Sequence, residues 1–547
     1  MTGHASRRRP TRRQRRLRSL GRALLWLAAF ALVVVLAAGA GVLWWSGATL
    51  ASDPSELARI ELQPLAGSLV SARASLDGGK PVPLRVSGGR VVPTALVSPG
   101  AVVHVEVVVR RPSWLGWAVG RTRHEQLTVR APVAGVPDRW LTLADGSALH
   151  VRFAKGVDRI AVGAVRPSRT VAAGGRRVVS LGPQAPSGSL LVAAAPRSWE
   201  RLGAPIRVSW FPKTSMPGVL VSPAPKADVS PLTTIRLTFA RPVGETLGGS
   251  RPHFTTRVSG TWRQVDAHTL EFRPTGLGFP LDSRLALELP RTLSVIVAGR
   301  GSEQRLRSIG WTVPTGSVLR LHQLLADAGY LPVSWHPAGD PVARTPQAEA
   351  EAALAPPAGR FTWRFDNTPP QLTQQWAPDA VTQITRGAVM AFEHDHHLTV
   401  DAFAGPMVWR ALLLDAIAGK RRTDGYSYVY VHTHLPQLLT LWHNGQSVLT
   451  SPGNTGIPAT PTQPGTFPVF EHIPVGTMSG TNPDGSHYDD PGIRWISYFH
   501  GGEALHAFNR ASFGTPQSLG CVELPLAAAA KVWPYTPIGT LVTIENQ

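Results

Sequence analysis

Cys521 is the sole cysteine among 547 residues, so it has no partner for an internal disulfide. Its sulfur is therefore either an incidental buried atom or a nucleophile. The local sequence, Ser518-Leu519-Gly520-Cys521-Val522, favours the nucleophile. A thiol attacks as thiolate and needs a base or a positive environment beside it. His506, upstream in the apolar run 495–508, is the expected base, presented from the end of a strand. His500, followed by Gly501, is the alternative. Gly520 admits an unusual φ or a close backbone approach. The successive amides of Leu519, Gly520 and Cys521 are candidates to receive a developing oxyanion, a contribution of about 3 kcal/mol per donor in comparable sites.

These residues need a β-rich platform, and the flanking sequence supplies one. Period-two alternation begins at Tyr426-Ser427-Tyr428-Val429-Tyr430-Val431, and Asn444-Gly445 between apolar runs is the strongest short hairpin signal. The stretch 482–492 is rich in turn residues and reads as a loop before the base-bearing strand. Upstream, Val318, Leu321, Leu324, Leu325 and Ala328 fall at helical spacing and stop at Gly329. Two more helices are expected around 386–393 and around Val408, Trp409, Leu412 and Leu413. A polar stretch, 419–425, reads as a hinge before the C-terminal domain. Residues 51–313 carry short β-branched runs broken by Gly, Pro, Asp and Ser, the pattern of β-sandwich modules.

The block from His506 through Ser518, Gly520 and Cys521 resembles the catalytic motif of the L,D-transpeptidases of bacterial cell walls, the YkuD-type fold. The resemblance spans about 426–547 and is reinforced by Ser451-Pro452-Gly453-Asn454-Thr455-Gly456 and by the stretch 460–467. It implies Cys521 as nucleophile, His506 as base, Ser518, Leu519 and Gly520 as the loop before the sulfur, and a main-chain carbonyl that orients the base. It also places a substrate lid at 482–492, with Tyr488 lining the donor pocket and His500 and Ala507 beside substrate. Leu519 stands where most members carry histidine, Ala507 where they carry glycine, and Glu523 where many carry Asn or Arg. Leu519 offers no side-chain hydrogen bond, so an active enzyme of shifted specificity is expected. The three helices look like a small peptidoglycan-binding domain interrupted by about fifty residues, and 221–313 resembles the immunoglobulin-like modules found beside such enzymes.

The first 22 residues hold nine arginines and no acid, and an uncharged apolar run follows from Ala23 to Ser46, ending in Trp44 and Trp45. At about 1.5 Å per residue it spans a hydrocarbon core of roughly 30 Å. The basic flank predicts a cytoplasmic N-terminus and an outside C-terminal part. A cleaved signal peptide is the rival, with a peptidase site near Ser46 and Ala48, but such peptides have shorter apolar cores. Nine of the net +20 charges belong to this leader, and no nucleic-acid motif accompanies the rest, so no nucleic-acid partner is expected. His394-Asp395-His396-His397 reads as a solvated turn, because adjacent positions rarely converge on one metal. No cofactor fingerprint is present.

The expected protein is thus multidomain and mainly β. It comprises a basic cytoplasmic tail (1–22), a transmembrane helix (23–46), β modules (51–135 and 136–215) and an immunoglobulin-like module (216–313). A peptidoglycan-binding-like helical module (316–418) and a YkuD-type catalytic domain (425–547) follow. Peptidoglycan stem peptides and glycan are the expected partners, together with the cytoplasmic membrane. The competing functions are a catalytically degenerate wall-binding scaffold, an L,D-carboxypeptidase in which water replaces the acceptor amine, and a papain-type peptidase. The last usually places cysteine before histidine, the reverse of the order here.

Overall fold

A computed structural model describes residues 12–53, 55–214, 216–298, 303–304 and 308–545. Most of the basic tail, 1–11, lies outside them. The chain forms two compact units, one from Met1–Lys213 with Ala298–Gly301 and one from Thr214–Val297 with Ser302–Gln547.

In the first unit, helix α1 (Arg12–Trp45) contains the apolar stretch Leu24–Trp45, of mean hydropathy 2.4, long and apolar enough to cross a membrane. Two four-stranded antiparallel sheets follow, enclosing a core of Leu57, Ile60, Val91, Val103, Val105 and Val107. One sheet holds the long hairpin β1 (Val102–Arg110) and β2 (Thr122–Arg130). Its odd-numbered valines point inward because side chains alternate along a strand. Residues 140–212 depart from the expected sandwich: they make one five-stranded sheet. Its strands Ala148–Gly163 and Arg169–Pro183 carry register shifts, and one sheet with such bulges encloses its own core, including Leu149, Phe153, Ile160 and Trp210.

The second unit opens with a six-stranded and a three-stranded sheet over 218–313, packed on Phe239, Phe279 and Trp311. Helices α2 (Val318–Asp327), α4 (Gln383–Asp395) and α5 (Pro406–Ala418) stand where periodicity places them. The interruption between the first two is ordered: strands Val333–Pro337 and Gly359–Trp363 pair around helix α3 (Pro346–Leu354). One continuous core runs from Val219 through these helices to Tyr428, Trp442 and Leu541. Gly387 of α4 packs backbone to backbone on Gly539, where an added Cβ would lie 2.5 Å from the Gly539 carbonyl oxygen.

The expected hinge at 419–425 is strapped down. Gly419 ends α5 in the left-handed conformation, the Arg422 N–H donates to the Ala328 carbonyl at 2.8 Å, and the Arg422 guanidinium covers the Tyr330 ring. Arg422 also pairs with Asp395 at 3.4 Å. The histidine-rich turn is likewise occupied, with His396 bridging the Phe392 carbonyl and Asp415.

The C-terminal domain has two sheets. The first orders β5 (Gln446–Pro452), β4 (Leu438–His443), β3 (Ser427–His432), β11 (Leu541–Ile544) and β6 (Gly465–Pro468), with β3 and β11 parallel. Asn444 and Gly445 both take positive φ, as the tight hairpin turn requires. The second orders β7 (Glu471–Thr481), β8 (His487–His500), β9 (Glu503–Ala507) and β10 (Val522–Leu524). Residues 487–492, expected as loop, are strand: Tyr488, Asp489 and Asp490 pair with Gly480, Ser479 and Met478. The turn chemistry is confined to 482–486, where the Asp484 carboxylate accepts from Ser486. Helix α6 (Leu526–Val532) follows β10.

Candidate active site

Strands β9 and β10 run parallel, with Leu505 opposite Val522, His506 opposite Glu523 and Ala507 opposite Leu524. Leu505, Ala507, Val522 and Leu524 enter the core, so His506 and Glu523 take the other face. One step back along this register, Cys521 falls beside Ala504 on the face of His506. Its packing agrees, for Cys521 adjoins Ile493, Ile496 and Ala504.

The buried His506 ring donates from Nδ1 to the Ala507 carbonyl at 3.0 Å, since a carbonyl only accepts. That bond leaves the Nε2 lone pair available as a base. Burial holds the His506 pKa below the usual imidazole value, against opposing contributions from the Ala507 carbonyl and Glu523. Burial also pushes the half-buried Cys521 thiol up to about 12; a hydrogen bond from the Ala504 backbone opposes it, and Glu523 and Glu503 add to it. The resting thiol donates to the Gly502 carbonyl at 3.7 Å. Thiol and imidazole therefore both rest uncharged, so any attack by this sulfur would require its proton to move.

The loop between base and sulfur is braced from two sides. Ser518 Oγ donates to the Cys521 carbonyl at 2.5 Å and accepts from the Gly520 N–H at 3.2 Å. Gly520, at φ +118°, turns its amide inward to that hydroxyl, so of the three amides expected at an oxyanion this one is engaged elsewhere. On the other side, Arg510 grips Glu523 with Nε at 2.8 Å and Nη2 at 2.7 Å, and Nη2 also reaches the Gln517 carbonyl at 3.1 Å. Asn454, fully buried, accepts on Oδ1 from the Gly514 N–H at 2.9 Å and from Gln517 Nε2 at 3.2 Å. Its backbone exchanges two 3.0 Å hydrogen bonds with that of Glu523.

In the sequence Glu523 stands out only as a departure from the family pattern, and nothing local marks Arg510. A buried acid beside a nucleophile requires a cation, and that requirement was the available signal.

Of the other candidates, Tyr488 stacks over Gly480, and its hydroxyl pKa is raised by burial and then by Cys521, which puts it within electrostatic reach of the sulfur. Tyr498, not anticipated, is raised in the same way. His500 packs at a tilt against the Phe467 ring and faces the Glu503 carboxylate at 3.5 Å. Glu503, whose pKa burial raises, accepts from the Gln463 N–H and touches the space beside Gly520. Ala507 turns its methyl into the core, holds His506 with its carbonyl, and lines the groove at the end of β9. Leu519 is half-buried. An open groove of about 880 Å³, lined by Asp490, Ile493, Arg494, Phe508, Phe513 and Leu526, begins where β9 ends. Among the described residues no cluster of three or more metal-ligating side chains occurs.

Residues 426–544 match the family model YkuD, the L,D-transpeptidase catalytic domain. No curated protein matches the chain. Among solved structures, an L,D-transpeptidase from Mycobacterium smegmatis is 14% identical over 60% of this chain and 99% of its own, with a TM-score of 0.20. L,D-transpeptidase 3 from Mycobacterium tuberculosis is 11% identical over 60% and 97%, TM-score 0.20. The catalytic domain of the E. faecium L,D-transpeptidase is 23% identical over 22% and 99%, also at 0.20.

Proposed function

We propose, for a chain whose residues 426–544 are a YkuD-type L,D-transpeptidase catalytic domain, that it cross-links peptidoglycan stems through a thioester on Cys521. The observation that carries the reading is the shared sheet face of Cys521 and His506, with His506 Nδ1 committed to the Ala507 carbonyl. Cys521 Sγ attacks the carbonyl of the third stem residue of a donor tetrapeptide and gives its proton to His506 Nε2. The C–N bond to the terminal D-alanine breaks, and that proton leaves on the D-alanine amine. The side-chain amine of a second stem then attacks the thioester and loses a proton to His506. His506 returns the proton to the departing sulfur, leaving an amide between two third residues. Water in place of the amine gives the carboxypeptidase outcome.

The groove beside β9 offers Asp490 and Arg494 to a zwitterionic stem and Phe508 and Phe513 to its apolar parts. Tyr488, Tyr498 and His500 flank the sulfur side. The helical module at 316–418 holds glycan or stem near the site, and α1 anchors the enzyme with its catalytic domain outside the cell.

Leu519 favours one rival, a scaffold that binds wall without chemistry. Intact-protein mass spectrometry after exposure to a carbapenem separates the two. The expected result is a single covalent adduct on the wild type and none on Cys521→Ala; an unmodified wild type overturns the mechanism. Stem tetrapeptide incubated with the enzyme should release D-alanine, measured by mass.

A further inference from the structure

We propose that the tip of the β1–β2 hairpin is a second membrane contact, in which Trp114, Trp117 and Val119 enter the outer interface of the bilayer that α1 crosses. The inference rests on the reading of α1 as a membrane anchor.

The β1–β2 ladder closes at Arg110 opposite Thr122, and residues 111–121 project beyond it. The projection is a built turn. The Arg111 N–H donates to the Arg121 carbonyl at 3.0 Å, the Arg111 guanidinium holds the Val119 carbonyl, and Gly116–Val119 form one helical turn. Yet its large side chains face outward: Trp114 is 57% exposed and Trp117 88%. Two neighbouring indoles and a valine turned outward by a hydrogen-bonded turn form an apolar patch, the kind of surface that marks a binding face.

Its position identifies what covers it. The Leu65 N–H donates to the Trp45 carbonyl and the Gln63 N–H to the Gly47 carbonyl, both at 3.0 Å. Arg123, one residue into β2, donates from Nη1 to the Leu43 carbonyl at 2.6 Å, and the Gly67 N–H donates to the Arg110 carbonyl at 2.8 Å. The apolar helix thus joins the module at the same end of the ladder from which the tip projects. The remainder of the ladder, to Val102 and Arg130, runs from there into the module. Trp44 and Trp45 are exposed at that helix end, so four exposed indoles belong to the end of the module where a bilayer's aromatic belt would lie. Exposed Arg110 and Arg121 flank the tip and suit anionic headgroups. A single helix leaves the module free to rotate and tilt, and a second contact removes that freedom.

Since Cys521 is the only thiol, a Cys521→Ala background accepts one spin label at a chosen site. The full chain carrying Trp117→Cys, or separately Phe30→Cys within α1, is labelled with a nitroxide and reconstituted in phosphatidylglycerol–phosphatidylcholine vesicles. Collision with lipid-soluble oxygen and with a water-soluble nickel complex is then read by electron paramagnetic resonance. The expected result is high oxygen and low nickel accessibility at both sites, with position 117 shallower than position 30. A label at 117 open to nickel while that at 30 is in lipid overturns the hairpin contact and leaves the anchor intact. A label at 117 shielded from both reagents means a protein covers the tip and also overturns it. Position 30 in water overturns the anchor, and the hairpin contact with it.

Discussion

At the residue scale, the candidate site has two titrating groups moved in opposite directions. Burial lowers His506 and raises Cys521, so the resting pair is neutral. The thiolate fraction then grows about tenfold per pH unit through neutral and mildly alkaline pH, because the thiol stays below its pKa throughout. Alkylation of Cys521 by iodoacetamide should follow that slope from about pH 6 to about pH 9. A plateau beginning near neutrality would mean a preformed thiolate–imidazolium pair. The candidate sulfur and candidate base stand out in the sequence because both residue types sit in a compact motif, and the structure sets them on one sheet face. The state of the pair was not, since desolvation depends on neighbours such as Ile496 and Ala504 that are distant in sequence or unremarkable in type.

At the element scale, the loop from β9 to β10 is held by Arg510, Glu523 and Asn454 in addition to the apolar packing of Phe508 and Cys521. Replacing Glu523 with Gln removes one charge of a bidentate pair and leaves Arg510 partly buried without its counter-ion. With Arg510 about one-third exposed, the expected cost is about 1–2 kcal/mol, less than for a fully buried pair. Thermal unfolding should register it, and the carbapenem acylation rate should fall further than stability alone explains. Ser518→Ala removes the hydroxyl that holds both the Gly520 amide and the Cys521 carbonyl; the expected outcome is a slower acylation with a smaller stability loss, of about 1 kcal/mol. Sequence periodicity found the helices and the Asn-Gly hairpin, whose signals are local. It misread 487–492, where Tyr488, Asp489, Asp490, Pro491 and Gly492 look like a turn, because pairing with 476–481 supplies an order that composition does not carry.

At the scale of the whole molecule, the first sheet of the C-terminal domain, which holds β3, β4 and β11, is completed by its neighbours. Tyr428, Trp442 and Leu541 face the helical module, and each is worth about 1.5–3 kcal/mol of burial. A fragment of 425–547 should therefore melt well below one of 316–547 by calorimetry. Gly387→Ala should destabilise the longer fragment by about 1–3 kcal/mol through overpacking against Gly539. Composition changes at 419–425 suggested a joint because Gly, Lys, Arg and Asp are linker residues. What they bind, Ala328, Tyr330 and Asp395, lies in α2's exit and α4, outside any local window.

The unbroken interior from Val219 to Leu541 has a mechanical consequence. Over 219–541 the groove sits on a domain whose first sheet shares its core with the upstream modules, so within that span it has no wrist of its own. Under the proposed function, two stems would have to meet the orientation that this body offers, and the search within that span would fall to the polymer.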